Sequence, residues 1–285
     1  MSDAMIRIHD LDKSFGETKA VQGLCLEIMG GEIFGLLGPN GAGKTTTISM
    51  MVGLLRPDRG TVEINKGGSP LDAKQRAYLG VAPQALAIYE ELTGRENLTF
   101  FGKLQGLSGS KLKERVDWTL DFVGLTDRAK HKASAYSGGM KRRLNLAVAL
   151  IHDPPILLLD EPTAGVDPQS RNALFENIHV LKNQGRTVVY TTHYMEEAQR
   201  LCDRVGIIDH GQLLALDTVD HLIRTHGGKD LLVVDYGGEE KQIKTDAPLD
   251  LLLKMKKEGD IRSFRVDRPD LEQVFLNLTG RQLRD

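Results

Sequence analysis

The sequence predicts an α/β fold: a mainly parallel sheet with helices on its faces, interrupted by a helical insert and followed by a small α/β domain. Three observations carry that reading. Short apolar runs alternate with stretches of helical periodicity, the mark of βαβ units. Residues from about 85 to 150 are helical in pattern throughout. Beyond about residue 225 the character shifts again, past the pair Gly227-Gly228. The domains are therefore placed at 1–225, with its helical part at about 85–150, and at 228–285.

Ile33-Phe34-Gly35-Leu36-Leu37 is a short apolar run, read as a buried parallel strand. A glycine loop follows, then a helix from about Gly43 to Leu55, ended by Pro57-Asp58-Arg59-Gly60. Thr61 to Ile64 alternates and reads as a strand. Thr93-Gly94-Arg95-Glu96 fits a capping box, with Leu98, Phe101 and Leu104 after it at helical spacing. Leu112, Val116, Leu120 and Val123 make a second stripe, and Leu144, Val148 and Ile151 a third. Strands return at Ile156–Leu159, Thr187–Thr191 and Val205–Ile208, the first two joined by a helix at about Gln169–Gln184.

In the last segment, Leu231–Tyr236 and Lys241–Ile243 flank Gly237-Gly238, a hairpin pattern. Leu249–Met255 reads as a helix and Ile261–Val266 as extended. Leu271, Val274, Phe275 and Leu278 stand at i, i+3, i+4 and i+7 of a final helix.

Composition bounds the function. The chain has 285 residues, 40% hydrophobic and 27% charged, so it can bury a real core. A formal net charge of −2 offers no global basic field for nucleic acid. The triplet Lys141-Arg142-Arg143 is read as a solvated or interfacial helix face. The start Met1-Ser2-Asp3-Ala4-Met5 lacks the basic and apolar regions of a signal peptide, and no run approaches the roughly 20 apolar residues of a bilayer span. A role at a membrane would need another chain to cross it. Cys25 and Cys202 form no metal-ligand spacing and are read as two small core residues.

The chemistry starts at Gly38-Pro39-Asn40-Gly41-Ala42-Gly43-Lys44-Thr45, followed by Thr46, which fits the phosphate-binding pattern G-x-x-x-x-G-K-[ST]. A triphosphate needs many donors and no bulky side chains. Gly38, Gly41 and Gly43 let backbone N–H groups converge on phosphate at a helix N-terminus. Lys44 supplies a point charge, and the Thr45 hydroxyl can bind Mg²⁺. A guanine-specific reading fails, because Asn65-Lys66-Gly67-Gly68 lacks the required Asp. Ile156-Leu157-Leu158-Leu159-Asp160-Glu161 is an apolar strand ending in two carboxylates. Asp160 suits Mg²⁺ and Glu161 suits a general base that orients water.

Ser137-Gly138-Gly139-Met140 lies between these two motifs. With all three in place, residues 5 to 225 resemble the ATP-binding cassette (ABC) ATPases. The resemblance implies a P-loop core, an antiparallel β subdomain and the helical insert already read. It implies roles for residues that spacing alone leaves ordinary. Gln84, in Val81-Ala82-Pro83-Gln84, matches the glutamine that touches Mg²⁺ and the attacking water. His193, after Tyr190-Thr191-Thr192, matches the histidine that bonds the γ-phosphate. Asp167, in Ala164-Gly165-Val166-Asp167-Pro168, matches the segment that communicates across a dimer. Phe15 stands where an aromatic stacks on adenine.

Ser137, Gly138, Gly139 and Met140 would cap the γ-phosphate held by a second copy or a related subunit, head to tail. The usual Leu-Ser-Gly-Gly-Gln is altered at both ends, to Tyr136 and Met140. Ile88, Tyr89 and Leu92 are candidates for the groove that receives a helix of an integral membrane permease. The segment Leu271–Gly280 is similar to the tails of bacterial drug- and polysaccharide-exporter subunits. The expectation is an exporter ATPase using ATP and Mg²⁺, peripheral on the cytoplasmic face of the membrane. The alternative is a soluble ABC protein in an assembly or ribosome-associated complex. Two cassettes or a long coiled-coil insert would favour ribosome or chromosome work, and neither is present. The extra C-terminal domain argues against an assembly factor.

Overall fold

The computed structural model describes residues 3–280. The chain divides into two compact units, Met1–Leu216 and Asp217–Asp285. The first runs through β1 (Ala4–Phe15), β2 (Thr18–Met29), β3 (Ile33–Leu37), α1 (Lys44–Met51), β4 (Arg59–Ile64), α2 (Ala73–Arg76), β5 (Leu79–Ala82), α3 (Gly94–Leu104), α4 (Gly109–Phe122), α5 (Gly138–Leu150), β6 (Ile156–Asp160), α6 (Pro168–Asn183), β7 (Thr187–Thr192), α7 (Met195–Leu201), β8 (Arg204–Asp209) and β9 (Gln212–Thr218). The second holds α8 (Val219–His226), β10 (Asp230–Tyr236), β11 (Glu239–Thr245), α9 (Pro248–Glu258), β12 (Ile261–Asp267) and α10 (Leu271–Thr279).

The main sheet has the order β5-β6-β7-β3-β8-β9, with parallel pairing from β5 through to β8. Every residue of β3, β6 and β7 is buried. That explains the apolar runs of β3 and β6, since a parallel strand covered on both faces has no solvent side. A separate antiparallel sheet has the order β2-β1-β4. Ile8, Leu24 and Leu26 of that sheet share one core cluster with Ile48 of α1 and with Leu36, Leu158 and Val189 of the main sheet. Helices α3, α4 and α5 pack on one another as the insert.

Several sequence expectations are adjusted. β1 and β2 have no simple alternation to read, because their pairing carries register shifts and Asp10 takes a left-handed φ of 43°. α1 ends at Met51, well short of Leu55. The capping box at Thr93 and Glu96 forms in full, with both reciprocal bonds. Of its apolar stripe, Leu98 is buried but Leu104 is 67% exposed, because the insert covers only one side of α3. Cys202 is buried, whereas Cys25 is exposed and its thiol donates to Asp10 Oδ1. Cys25 is therefore not a core residue.

In the second unit, Gly237-Gly238 closes the β10/β11 hairpin with Tyr236 opposite Glu239. β12 pairs with the other edge of β10. Leu232, Val234 and Met255 form the core under α9. The unit begins before the boundary read at 225, because α8 packs with α10 and Asn277 donates to the His226 carbonyl at 2.7 Å. Gly227-Gly228 thus lies inside this unit.

Candidate functional site

The register of the parallel sheet gathers the motifs. Leu37 pairs with Thr192, Asp160 with Thr191, and Ala82 with Leu159. The glycine loop, Asp160-Glu161, His193 and Gln84 all follow the carboxyl ends of these adjacent strands, where α/β sheets place their ligand sites.

Gly43 caps α1 with φ 104°, and a Cβ there would stand 2.3 Å from the Ala20 carbonyl of β2. Only glycine fits. Gly41, φ 80°, faces open space. Asn40 and Thr45 are exposed, Pro39 and Thr46 half-buried, and Gly38 and Ala42 buried. Lys44 is only 4% exposed. Its ammonium donates to the carbonyls of Gly38 at 2.8 Å and Pro39 at 3.1 Å, and meets Glu161 Oε1 at 3.1 Å.

Glu161 is held in a left-handed conformation, φ 44°, which an L-residue adopts only where its surroundings enforce it. Its N–H donates to Thr191 Oγ1 at 2.9 Å, and Thr191 Oγ1 donates to Asp160 Oδ1 at 2.5 Å. One hydroxyl thus ties the Asp160 carboxylate to the Glu161 backbone. Gln84 Nε2 donates to Glu161 Oε2 at 3.1 Å. His193 Nδ1 approaches the same oxygen at 3.3 Å without the alignment of a hydrogen bond. Glu161 is therefore the meeting point of Lys44, Gln84 and His193. A buried carboxylate so surrounded can accept a proton from water and direct its lone pair.

The Ser137 segment does not join this cluster through any of these bonds. Ser137 caps α5 by accepting from Met140 N–H, and Ser137 and Gly138 are exposed while Met140 is half-buried. A Cβ at Gly139 would stand 2.2 Å from Ser170 Oγ, so this helix end presses on the start of α6. Asp167 caps α6 by accepting from Ser170 N–H at 2.9 Å, a bond that lowers its pKa. The SGG end and Asp167 are thus neighbours on the surface, open to another molecule. Tyr136 explains one departure from the usual motif: it is buried, and its hydroxyl donates to the Arg128 carbonyl at 2.7 Å. Phe15 lies at the tip of β1, 53% exposed, with Lys13 Nζ 5.8 Å from its ring centre.

Two functional neighbours escaped the sequence reading. Glu197 of α7 is 2% exposed and its Oε2 accepts from Thr163, Tyr190 and Thr192 hydroxyls at 2.9, 2.8 and 3.0 Å. It ties the residues after Glu161 to the residue before His193. A Glu four places after a histidine on a helix gives no sequence signal of such a role. Of the two readings of the basic triplet, solvated or interfacial face, its contacts are those of an interfacial one. Lys141 pairs with Glu90 at 2.7 Å, Arg143 donates to the Val123 and Gly124 carbonyls, and Arg142 donates to those of Gln84 and Ala164. Only long-range packing supplies those acceptors.

Comparison with known proteins agrees with this geometry. The sequence pattern of the family described as ABC transporter matches residues 21–164. The chain is 41% identical to the linearmycin resistance ATP-binding protein of Bacillus subtilis (strain 168), over 99% of this chain and 100% of the relative. It is 39% identical to the Nod factor export ATP-binding protein I of Paraburkholderia xenovorans (strain LB400), over 100% of both chains. A solved ATP-binding subunit of an ABC transporter superposes with a TM-score of 0.71 at 31% identity, covering 78% of this chain and 93% of that one. A dimeric ATP-binding cassette in a post-hydrolysis state with ADP and Pi superposes with a TM-score of 0.68 at 26% identity, covering 75% and 98%.

Proposed function

The chain belongs to the ABC transporter family, and on that premise we infer that it is the ATP-hydrolysing subunit of an exporter, working as a head-to-tail dimer on a separate membrane-spanning subunit. The observation that carries the catalytic reading is the convergence of Lys44, Gln84 and His193 on the Glu161 carboxylate. The export reading is supported by the whole-length similarity to proteins named for linearmycin resistance and Nod factor export. No helix of the described residues is long and apolar enough to cross a membrane, so the permease is a different chain in this reading.

In this mechanism the backbone N–H groups of Gly41, Gly43, Lys44 and Thr45 and the Lys44 ammonium bind the β- and γ-phosphates. Phe15 offers an exposed ring face to adenine. Glu161 orients the attacking water and takes its proton, while Gln84 and His193 fix the carboxylate and the water. The exposed Ser137 and Gly138 supply donors to the γ-phosphate of the partner's nucleotide, beside Asp167. Catalysis then comes from positioning and charge, completed only when the dimer closes.

The residues also fit a Mg²⁺ ion accompanying ATP. No group of three or more His, Cys, Asp or Glu among the described residues could hold a metal alone. The available donors are hard oxygens from Thr45, Gln84 and Asp160, which leaves room for phosphate and water as Mg²⁺ prefers. When bound, the ion neutralises charge on the phosphate oxygens. In this reading Ile88, Tyr89 and Leu92 are the candidates for the permease contact. Tyr89 is half exposed and braced by Phe100 and Phe101 at 5.1 and 5.9 Å between ring centres. Turnover and ATP-dependent dimerisation of Glu161→Gln test the catalytic reading. Purification with a stoichiometric multi-spanning membrane protein tests the transporter reading, and recovery of soluble partners alone would overturn it.

A further inference from the structure

Arg142 lies on the first turns of α5, the helix whose N-terminus is the Ser137-Gly138-Gly139 end. Its two terminal nitrogens reach different segments. Nη1 donates to the Gln84 carbonyl at 2.5 Å, and Nη2 to the Ala164 carbonyl at 3.3 Å. Gln84 opens the connection from β5 into the helical insert, and its side chain bonds Glu161. Ala164 sits between Glu161 and Asp167, and its N–H donates to the Glu161 carbonyl at 3.2 Å. One guanidinium therefore clamps the SGG helix to both flanks of the Glu161 cluster. Burial pushes that guanidinium below its usual range, while the Glu161 carboxylate draws it back up. The two groups are close enough to sense each other.

We propose that Arg142 is a positioning residue that relays engagement of the SGG end to the hydrolytic cluster within the same chain. The inference rests on the assignment of Ser137–Gly139 to the partner's nucleotide. In a head-to-tail dimer each chain grips one nucleotide with its SGG end and hydrolyses the other with Glu161. Two rigid connections transmit the first event to the second. Gly139 presses on Ser170 beside Asp167, and Arg142 holds Gln84 and the Ala164 segment. Displacement of α5 on gripping the partner's nucleotide moves both carbonyls together, and with them the Gln84 amide and Glu161. A lysine cannot substitute, because a single ammonium lacks the fork that spans two carbonyls from separate segments.

The same helix carries its own control. Arg143 also donates to two carbonyls, of Val123 and Gly124 at 2.9 and 3.2 Å, but both belong to the insert. The test compares steady-state ATP turnover of Arg142→Ala, Arg142→Lys and Arg143→Ala in the full chain. Melting temperatures and ATP affinity are measured alongside. ATP-driven dimerisation of Glu161→Gln is compared with that of Glu161→Gln/Arg142→Ala. The expected result is a loss of kcat of about tenfold or more in both Arg142 variants, with ATP affinity kept, since small misplacements of a catalytic group cost this much. Arg143→Ala keeps its turnover, and the double variant dimerises like Glu161→Gln.

Turnover retained in Arg142→Ala, an equal loss in Arg143→Ala, full rescue by lysine, or loss of dimerisation in the double variant would each overturn the relay. Glu161→Gln that turns over ATP at the wild-type rate, or that forms no dimer with ATP, would locate the failure in the site assignment itself, and the relay falls with it.

Discussion

Lys44 Nζ lies 3.1 Å from Glu161 Oε1, and both side chains are almost wholly buried. This ammonium and this carboxylate thus neutralise each other across 117 residues of chain. Lys44→Ala should abolish ATP binding and also destabilise the fold by roughly 3–5 kcal/mol, because it leaves a buried carboxylate without its cation. Adding Glu161→Gln should recover part of that loss. Denaturant unfolding of the two single variants and the double variant closes the cycle, and simple additivity would show that the pair does not interact.

Glu161→Gln alone should bind ATP and lose about 100-fold or more of its turnover, the scale of a general base. It should also accumulate as an ATP-bound dimer in gel filtration. Wild-type turnover in this variant would remove Glu161 from the chemistry.

Glu197→Ala should strand the Thr163, Tyr190 and Thr192 hydroxyls that now donate to one carboxylate oxygen. The cost is at least about 2 kcal/mol, because buried donors lose their acceptor. Turnover should fall as well, since Thr163 and Thr192 flank Glu161 and His193. Glu197→Gln keeps an acceptor oxygen and should retain most of the stability. Equal melting temperatures for the alanine variant and the wild type would contradict the hub.

His152 gives a pH dependence. Its Nε2–H donates to the Leu79 carbonyl at 3.1 Å, Nδ1 has no hydrogen-bond partner, and burial lowers its pKa below the usual 6.5. The folded chain therefore keeps this ring neutral where the unfolded chain already binds a proton. Stability should fall as pH drops below about 6.5 toward the lowered folded value. His152→Gln can still donate to Leu79 and should lose less stability between about pH 7 and pH 5. Parallel curves for the two proteins would exclude the ring as the cause.

The boundary between units can be tested by truncation. A chain ending at Thr218 keeps β9 whole. A chain ending at His226 adds α8, whose buried Val219 and Leu222 lose the second unit's packing. The shorter chain should be the more soluble of the two. The reverse result would assign α8 to the first unit.

Most of the fold was legible where burial is two-sided or periodicity is strict. β3 and β6 announce themselves as apolar runs, and α10 by its i, i+3, i+4, i+7 stripe. β1 and β2 were not legible, because bulges interrupt their alternation. The glycine loop was legible because glycine at φ 104° beside the Ala20 carbonyl is a backbone demand that one residue type meets. The helices of the insert were legible from their stripes, but not which side of α3 is left open at Leu104.

The sequence by itself determined the alternation of buried strands and helices from Ile33 onward, the glycine loop, the paired carboxylates at a strand end and the family resemblance, since each depends on neighbours along the chain. Only the tertiary structure decided which atoms meet. Gln84 reaches Glu161 across 77 residues, Arg142 reaches Gln84 across 58, and Glu197 gathers hydroxyls from two separate segments. Those contacts depend on strand register and helix docking, which follow from the burial of distant apolar surfaces and not from any local spacing.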